Sequence, residues 1–282
     1  MSNEFRLGGD LAVNRLGFGA MRLPSKSGMG GRARDPETGR AVLRRAVELG
    51  VNHMDTADFY LSAGGAVRAN TLIREALHPY PSDLVIATKV GPIIRDGGLH
   101  HATPADMRSH VEANLEGLGV DRLDLVYLRI GTMQPPRGES LAARFEVLAA
   151  LREEGLIRHL GVSNVDIDHL AEARAIAPVV AVQNAFHAAQ RDDGELLTAC
   201  EESGIAFVPF FPLGGGRGLG DERLARVAAR HGVSVSQIGL AWLLASSPVT
   251  LAIPGTGSLS HLEDNMAAAG ITLTEEDLAD LA

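Results

Sequence analysis

Leu123-Asp124-Leu125-Val126-Tyr127-Leu128-Arg129-Ile130 is followed by an amphipathic stretch over residues 141–152 and then by Ile157-Arg158-His159-Leu160-Gly161-Val162-Ser163. The two outer runs are short and almost continuously apolar, as in strands buried on both faces. The middle stretch spaces its apolar residues three and four apart, as one face of a helix does. Strand, helix and strand in that order predict a parallel pair joined by a right-handed crossover.

The same alternation extends in both directions. Strand-like runs fall at 15–19, 51–56, 84–90, 123–130, 157–163, 179–184, 205–210 and 249–254, with helical spacing at 41–49, 107–118, 141–152, 170–176, 196–202 and 224–231. Alternation by itself also fits an open doubly wound sheet, but a count of eight favours closure into an α/β (β/α)8 TIM barrel. Residues 5–7, Gly8-Gly9-Asp10 and residues 11–13 read as an N-terminal β-hairpin, apolar enough to plug the barrel floor. All of residues 1–282 are then accounted for as one domain. The Gly-rich pieces at 28–31 and 214–220 read as loops.

Composition narrows the function classes. The chain has 45% hydrophobic and 22% charged residues and a net charge of −9, with no Lys/Arg-rich run, so neither nucleic acid nor an anionic membrane is an expected partner. The most apolar segment, 238–253, is broken by Ser246-Ser247-Pro248, and the first residues lack a basic-then-apolar leader, so a cytoplasmic location is expected. No obligatory protein partner is evident. The single cysteine, Cys200, reads as a buried, inert thiol.

In such a barrel the chemistry gathers at the carboxyl ends of the strands. Asp55, Lys89 and Arg129 end neighbouring strands and Tyr60 follows Asp55, so one anion, two cations and a phenol converge. Lys89 needs a counter-ion in a partly buried pocket, and Asp55 supplies it. Adjacent cations are expected to lower the Tyr60 pKa, letting the phenol protonate a carbonyl oxygen as that oxygen gains charge.

Gly17-Phe18-Gly19-Ala20-Met21, Asp55-Thr56-Ala57-Asp58-Phe59-Tyr60, Ala87-Thr88-Lys89-Val90, Gly161-Val162-Ser163-Asn164 and Ile253-Pro254-Gly255-Thr256 together resemble the aldo-keto reductases, in that family's order. The resemblance implies a carbonyl reductase with Tyr60 as proton donor, tuned by Lys89 and Asp55, and a small-molecule aldehyde or ketone as substrate. It implies a reduced nicotinamide dinucleotide across the barrel mouth, touched by Gly19, Ala20, Met21 and Asp55. Ser163, Asn164 and Gln183 match positions that hold the carboxamide, and Phe210 matches the aromatic residue that stacks on the ring. Phe211, Pro212, Leu213, Gly214 and Gly216 lead into the Gly-rich segment 213–220, whose bare backbone would cover the pyrophosphate.

Two departures from the family pattern stand out. Arg129 replaces a histidine found in most members; arginine cannot shuttle a proton, but it can donate to a carbonyl oxygen or clamp an anion. Many NADPH-using members carry a cation where this chain has Gly255 and His261. The segment still offers Ile253, Pro254, Thr256, Ser258, Asp264 and Asn265, with hydroxyls at the start of a helix near Ser258, so NADPH is expected ahead of NADH. Residues 208–214, Arg129 and residues 73–81 resemble the bacterial pyridoxal reductase group of the family, which implies an aromatic aldehyde with an acidic phenol beside its carbonyl. Specificity is expected from loops 91–101 and 132–140.

Two other readings stay open. His53 and Asp55 face the same way on one strand, as metal ligands of a barrel hydrolase would, although His53 reads more simply as a hydrogen-bonded interior histidine and His100-His101 as an exposed loop pair. A nicotinamide-binding sensor or partner-binding barrel would keep the fold and lose the chemistry.

Overall fold

A computed structural model describes residues 3–26, 29–95, 98–131, 136 and 138–282. It opens on the expected hairpin: β1 (Glu4–Leu7) pairs antiparallel with β2 (Leu11–Asn14), and Gly8 and Gly9 make the turn at φ 60° and 84°. Both angles lie in the left-handed region that glycine enters without steric cost.

The barrel strands are β3 (Phe18–Gly19), β4 (His53–Asp55) and β5 (Val85–Val90), and, after an inserted hairpin of β6 (Pro92–Arg95) and β7 (Gly98–His101), β8 (Leu123–Arg129), β9 (Ile157–Ser163), β10 (Val179–Gln183) and β11 (Ala206–Phe207). Seven of them form a parallel sheet in the order β3-β4-β5-β8-β9-β10-β11. The eighth expected strand, 249–254, is a pair of parallel bridges, Phe207 to Thr250 and Leu16 to Ala252. Leu251 N–H donates to the Phe207 carbonyl and Ala252 N–H to the Arg15 carbonyl, each at 2.8 Å, which joins the last strand to the first. The ring is closed: the fold is a (β/α)8 barrel, and the open-sheet alternative falls away.

Alternate residues of the strands turn inward. Val85, Ala87, Leu125, Tyr127, Ala181, Val208 and Leu251 form one interior cluster, completed by Leu7, Leu11 and Val13 of the hairpin. Asp10 at the hairpin tip accepts from Arg158 and lies against His159, each at 2.7 Å, at the start of β9. The hairpin therefore stoppers the amino-terminal end.

Around the strands run α1 (Pro36–Glu48), α2 (Ala69–Leu77), α3 (Met107–Leu118), α4 (Ala142–Glu153), α5 (Ile167–Ile176), α6 (Gly194–Ser203), α7 (Glu222–His231), α8 (Val235–Ser246), α9 (Leu259–Ala267) and α10 (Glu275–Asp280). Their ends follow local chemistry. Asp35 caps α1 by accepting from Glu37 N–H and Thr38 N–H, with Pro36 at the first helical position. Ser234 and Gln237 form a capping box on α8, and Gly119, Gly204 and Gly232 end α3, α6 and α7 in left-handed conformations. At the barrel seam the buried Arg15 guanidinium donates to the carbonyls of Leu244, Ser247 and Thr250, satisfying the end of α8.

Two expectations change. Residues 91–101 were expected as a loop but pair as β6 and β7, so His100 and His101 lie in a strand, the first exposed and the second half-buried. The Gly-rich segment is a 3-10 stretch, Gly214–Gly220, with Gly214, Gly215 and Gly216 all at positive φ. Of the loops at 28–31, 91–101 and 132–140, residues 28, 96, 97, 132–135 and 137 lie outside the described residues. Among the described residues, no helix is long and apolar enough to cross a membrane.

Candidate active site

The strand ends bring the sequence-derived cluster together. Asp55 closes β4, Lys89 is the penultimate residue of β5, Arg129 closes β8, and Ser163 and Gln183 close β9 and β10. Lys89 Nζ donates to Asp55 Oδ1 at 2.5 Å and to the Thr56 carbonyl at 3.1 Å. Tyr60 is held on the loop after β4 by a bond from its N–H to the Ala57 carbonyl, at 3.0 Å, and by one from Ala69 N–H to its own carbonyl, at 2.9 Å. Lys89 Nζ lies over the Tyr60 ring, 4.9 Å from its centre, and its charge acts on the phenol.

A buried network that sequence reasoning missed braces this cluster. Thr56 Oγ1 donates to Asn70 Oδ1 at 2.8 Å, and Asn70 Nδ2 and Thr88 Oγ1 both donate to Asn114 Oδ1. The ends of β4 and β5 are thereby tied to α2 and α3 through fully paired amides. No sequence signal short of the three-dimensional pairing marks Asn70 and Asn114 for this.

The electrostatics differ from the sequence expectation at Tyr60. Burial raises its pKa above the ordinary value and outweighs the opposing pull of Lys89 and Arg129, while Asp55 adds to the rise. The phenol therefore keeps its proton at neutral pH. For Lys89, burial is opposed by Asp55 and Tyr60, which hold the ammonium above its usual value. Burial lowers the Arg129 pKa against the counter-pull of Tyr60 and Asp55.

Arg129 packs its guanidinium carbon 4.7 Å above the Phe210 ring and donates to Ser163 Oγ at 3.2 Å. His53 is interior, as expected, but neither ring nitrogen has a hydrogen-bond partner among the described residues, and burial pushes its pKa down to about 4. Among the described residues, no three His, Cys, Asp or Glu side chains gather as a metal-binding set. Cys200 is buried, with its thiol pushed up to about 12 by that burial.

A cavity of about 470 Å³ opens over the cluster. Of the residues expected at a dinucleotide, Gly19, Met21, Asp55, Gln183, Phe210, Phe211, Pro212, Leu213, Gly216, Ile253, Pro254, Gly255, Thr256 and His261 line it, as do Tyr60, Lys89 and Arg129. The others do not line it. Ala20 is fully buried, Ser163 is taken by Arg129, and Asn164, at φ 61°, donates to the Ile130 carbonyl. Gly214 lies against His187, Ser258 caps α9, Asp264 accepts from Ser234, and Asn265 is buried.

Gly215 and Leu219, of the segment expected over the pyrophosphate, line the cavity too, and sequence reasoning missed Arg22, Lys26, Met29, Arg34, Phe59 and Gly257, which also line it. Its described walls therefore carry five cations, Arg22, Lys26, Arg34, Lys89 and Arg129, against the single carboxylate of Asp55. In a chain of net charge −9 this concentrates positive potential in one cleft, which favours a polyanionic ligand.

The residues fit a nicotinamide dinucleotide. Among the described residues, Gln183 Oε1 is buried without a hydrogen-bond partner, as is the Tyr127 hydroxyl. A carboxamide amine is a suitable donor for that oxygen. At the floor, a Cβ on Gly19 would meet the Ile253 carbonyl oxygen at 2.7 Å, and one on Gly255 would meet the Gly19 carbonyl oxygen. Bare backbone is thus the only lining possible there.

The barrel, the Asp55–Lys89–Tyr60 cluster and the cationic cleft agree with the profile of the Aldo/keto reductase family, which matches residues 15–282: the chain belongs to this family and is an NAD(P)H-dependent oxidoreductase. It is 46% identical to the pyridoxine 4-dehydrogenase of Escherichia coli strain K12, over 99% of this chain and 97% of that one. An uncharacterized oxidoreductase of Schizosaccharomyces pombe is 41% identical, over 97% and 87% of the two chains. A solved aldo-keto reductase of Klebsiella pneumoniae in complex with NADPH superposes with a TM-score of 0.83 at 28% identity, covering 100% of this chain and 94% of that one.

Proposed function

We propose that the protein is an NADPH-dependent carbonyl reductase acting on aromatic aldehydes of the pyridoxal type. The observation that carries this reading is the buried Lys89, paired with Asp55 and lying over the Tyr60 ring in a cationic cleft. NADPH, when bound, supplies a hydride to the carbonyl carbon. Tyr60 holds the proton that neutralises the developing alkoxide, and its raised pKa keeps that proton in place until the oxygen becomes basic enough to take it. Lys89 stabilises the tyrosinate left behind, and Asp55 fixes Lys89 in the position to do so.

Arg129 stands where it can donate to the carbonyl oxygen or to an acidic phenol beside it. Its seat on Phe210 and its bond to Ser163 orient the guanidinium. The identity to a pyridoxine 4-dehydrogenase supports the choice of substrate, and the NADPH complex of a family member supports the cofactor. A cytoplasmic location belongs to the same reading.

The test follows NADPH oxidation by the purified protein with pyridoxal beside simple aldehydes, ketones and sugars, with Tyr60→Phe in parallel. Selective turnover of pyridoxal, falling roughly 10²–10⁴-fold in the variant, is expected for a lost general acid. NADPH binding with no turnover of any compound would replace this reading with that of a dinucleotide-binding sensor.

A further inference from the structure

We propose that Arg34 binds the 2′-phosphate of NADPH and sets the preference for NADPH over NADH; this rests on the dinucleotide reading above. Arg34 lies on the loop ahead of α1, far in sequence from the segment it touches. Its Nη1 donates to the Gly257 carbonyl at 3.3 Å, and its guanidinium fills the space that a Cβ on Gly257 would occupy.

Arg34 is therefore seated by the absence of a side chain opposite it. Among the described residues, its Nε is shut off from solvent without a hydrogen-bond partner and its guanidinium makes no ion pair. A cation that lines the cavity, is held in place and has no counter-ion is poised for an anionic ligand.

The surroundings suit a phosphate monoester. Arg34, Thr256, Gly257 and His261 share the cavity wall, where the chain passes from the eighth barrel strand into α9. Thr256 Oγ1 accepts from Ser258 N–H at 3.1 Å and keeps its own hydrogen for donation, and the first turn of α9 adds its positive end. Neither Gly255 nor His261 brings a permanent charge to this wall, so Arg34 supplies it from the opposite side of the seam. The Gly-rich stretch 214–220 lies on another wall and suits the pyrophosphate, which both dinucleotides share.

The experiment measures dissociation constants by calorimetry for NADPH, NADH, 2′-AMP and 5′-AMP, with the full chain and with Arg34→Met and Gly257→Ala. Circular dichroism verifies that each variant is folded. Arg34→Met should weaken NADPH and 2′-AMP roughly ten- to a hundredfold, the size of a lost charged hydrogen bond, and leave NADH within twofold. Gly257→Ala retains the charge but displaces the guanidinium, and should reproduce most of that loss. Equal weakening of NADPH and NADH, or no change in either, would overturn the assignment of Arg34. A wild-type protein that binds NADH as tightly as NADPH would instead overturn the cofactor choice on which the assignment rests.

Discussion

Gln183 Nε2 donates to Asp55 Oδ2 at 2.8 Å, while Lys89 holds Oδ1 at 2.5 Å, so both oxygens of a carboxylate only 3% exposed are paired. The bond joins the ends of β10 and β4, which are separated in the sheet by β9, β8 and β5. It is a strut across the barrel mouth, and it holds Gln183 so that its Oε1 remains available.

Removing the strut should weaken the fold. Gln183→Leu leaves a buried anionic oxygen without its donor and should lower stability by about 1.5–3 kcal/mol, the usual cost for a hydrogen bond to a charged group. Urea unfolding midpoints at neutral pH measure this. An unchanged midpoint would mean that the Asp55–Lys89 pair needs no support from Gln183.

Arg129 should discriminate by charge. Arg129→Met is expected to lower kcat/KM for a carboxylate-bearing benzaldehyde roughly tenfold or more beyond its effect on a neutral analogue, because a charged donor facing an anion is lost. Arg129→His should fall between the two. Equal losses for both aldehydes would reduce Arg129 to a structural partner of Phe210 and Ser163.

His53 should make the fold acid-sensitive in a defined window. Its folded pKa, about 4, lies below the unfolded value, so between roughly pH 6.5 and 4 the unfolded chain binds the extra proton and stability falls on acidification. The loss should approach about 3 kcal/mol at the lower edge and vanish above the window. Asp277 acts lower: burial would raise it, but Thr274, His231 and Arg230 hold it well below the carboxylate range, so its contribution survives until stronger acid. Stability measured across pH 4–7 for wild type and His53→Leu should therefore diverge in slope, the variant being flatter; parallel curves would contradict the buried neutral histidine.

The alternation legible around residues 123–163 led to the correct barrel because apolar period and turn chemistry are local properties. It overstated the first, seventh and eighth strands. Next to the closing seam, β3 and β11 keep two residues each and 249–254 keeps only bridges, since ring closure decides how much of each run can pair. The strand-end residues Asp55, Lys89, Arg129 and Gln183 were legible for the same reason as the strands themselves. The position of Arg34 on Gly257, the Asn70–Asn114 braces and the net direction of the Tyr60 pKa were not, because each depends on segments distant in sequence or on the depth of burial.

Gly19 and Gly255 press backbone against backbone where the ring closes, at the bottom of the dinucleotide cleft. That floor is made of peptide groups common to every sequence, and neither position admits even a methyl group. Substitution therefore has no means of retuning it. Any change of ligand preference, whether by natural drift or by engineering, has to be written into the flanking segments that carry Arg34, Arg129 and Phe210, which leaves the reaction's platform constant while its clientele varies.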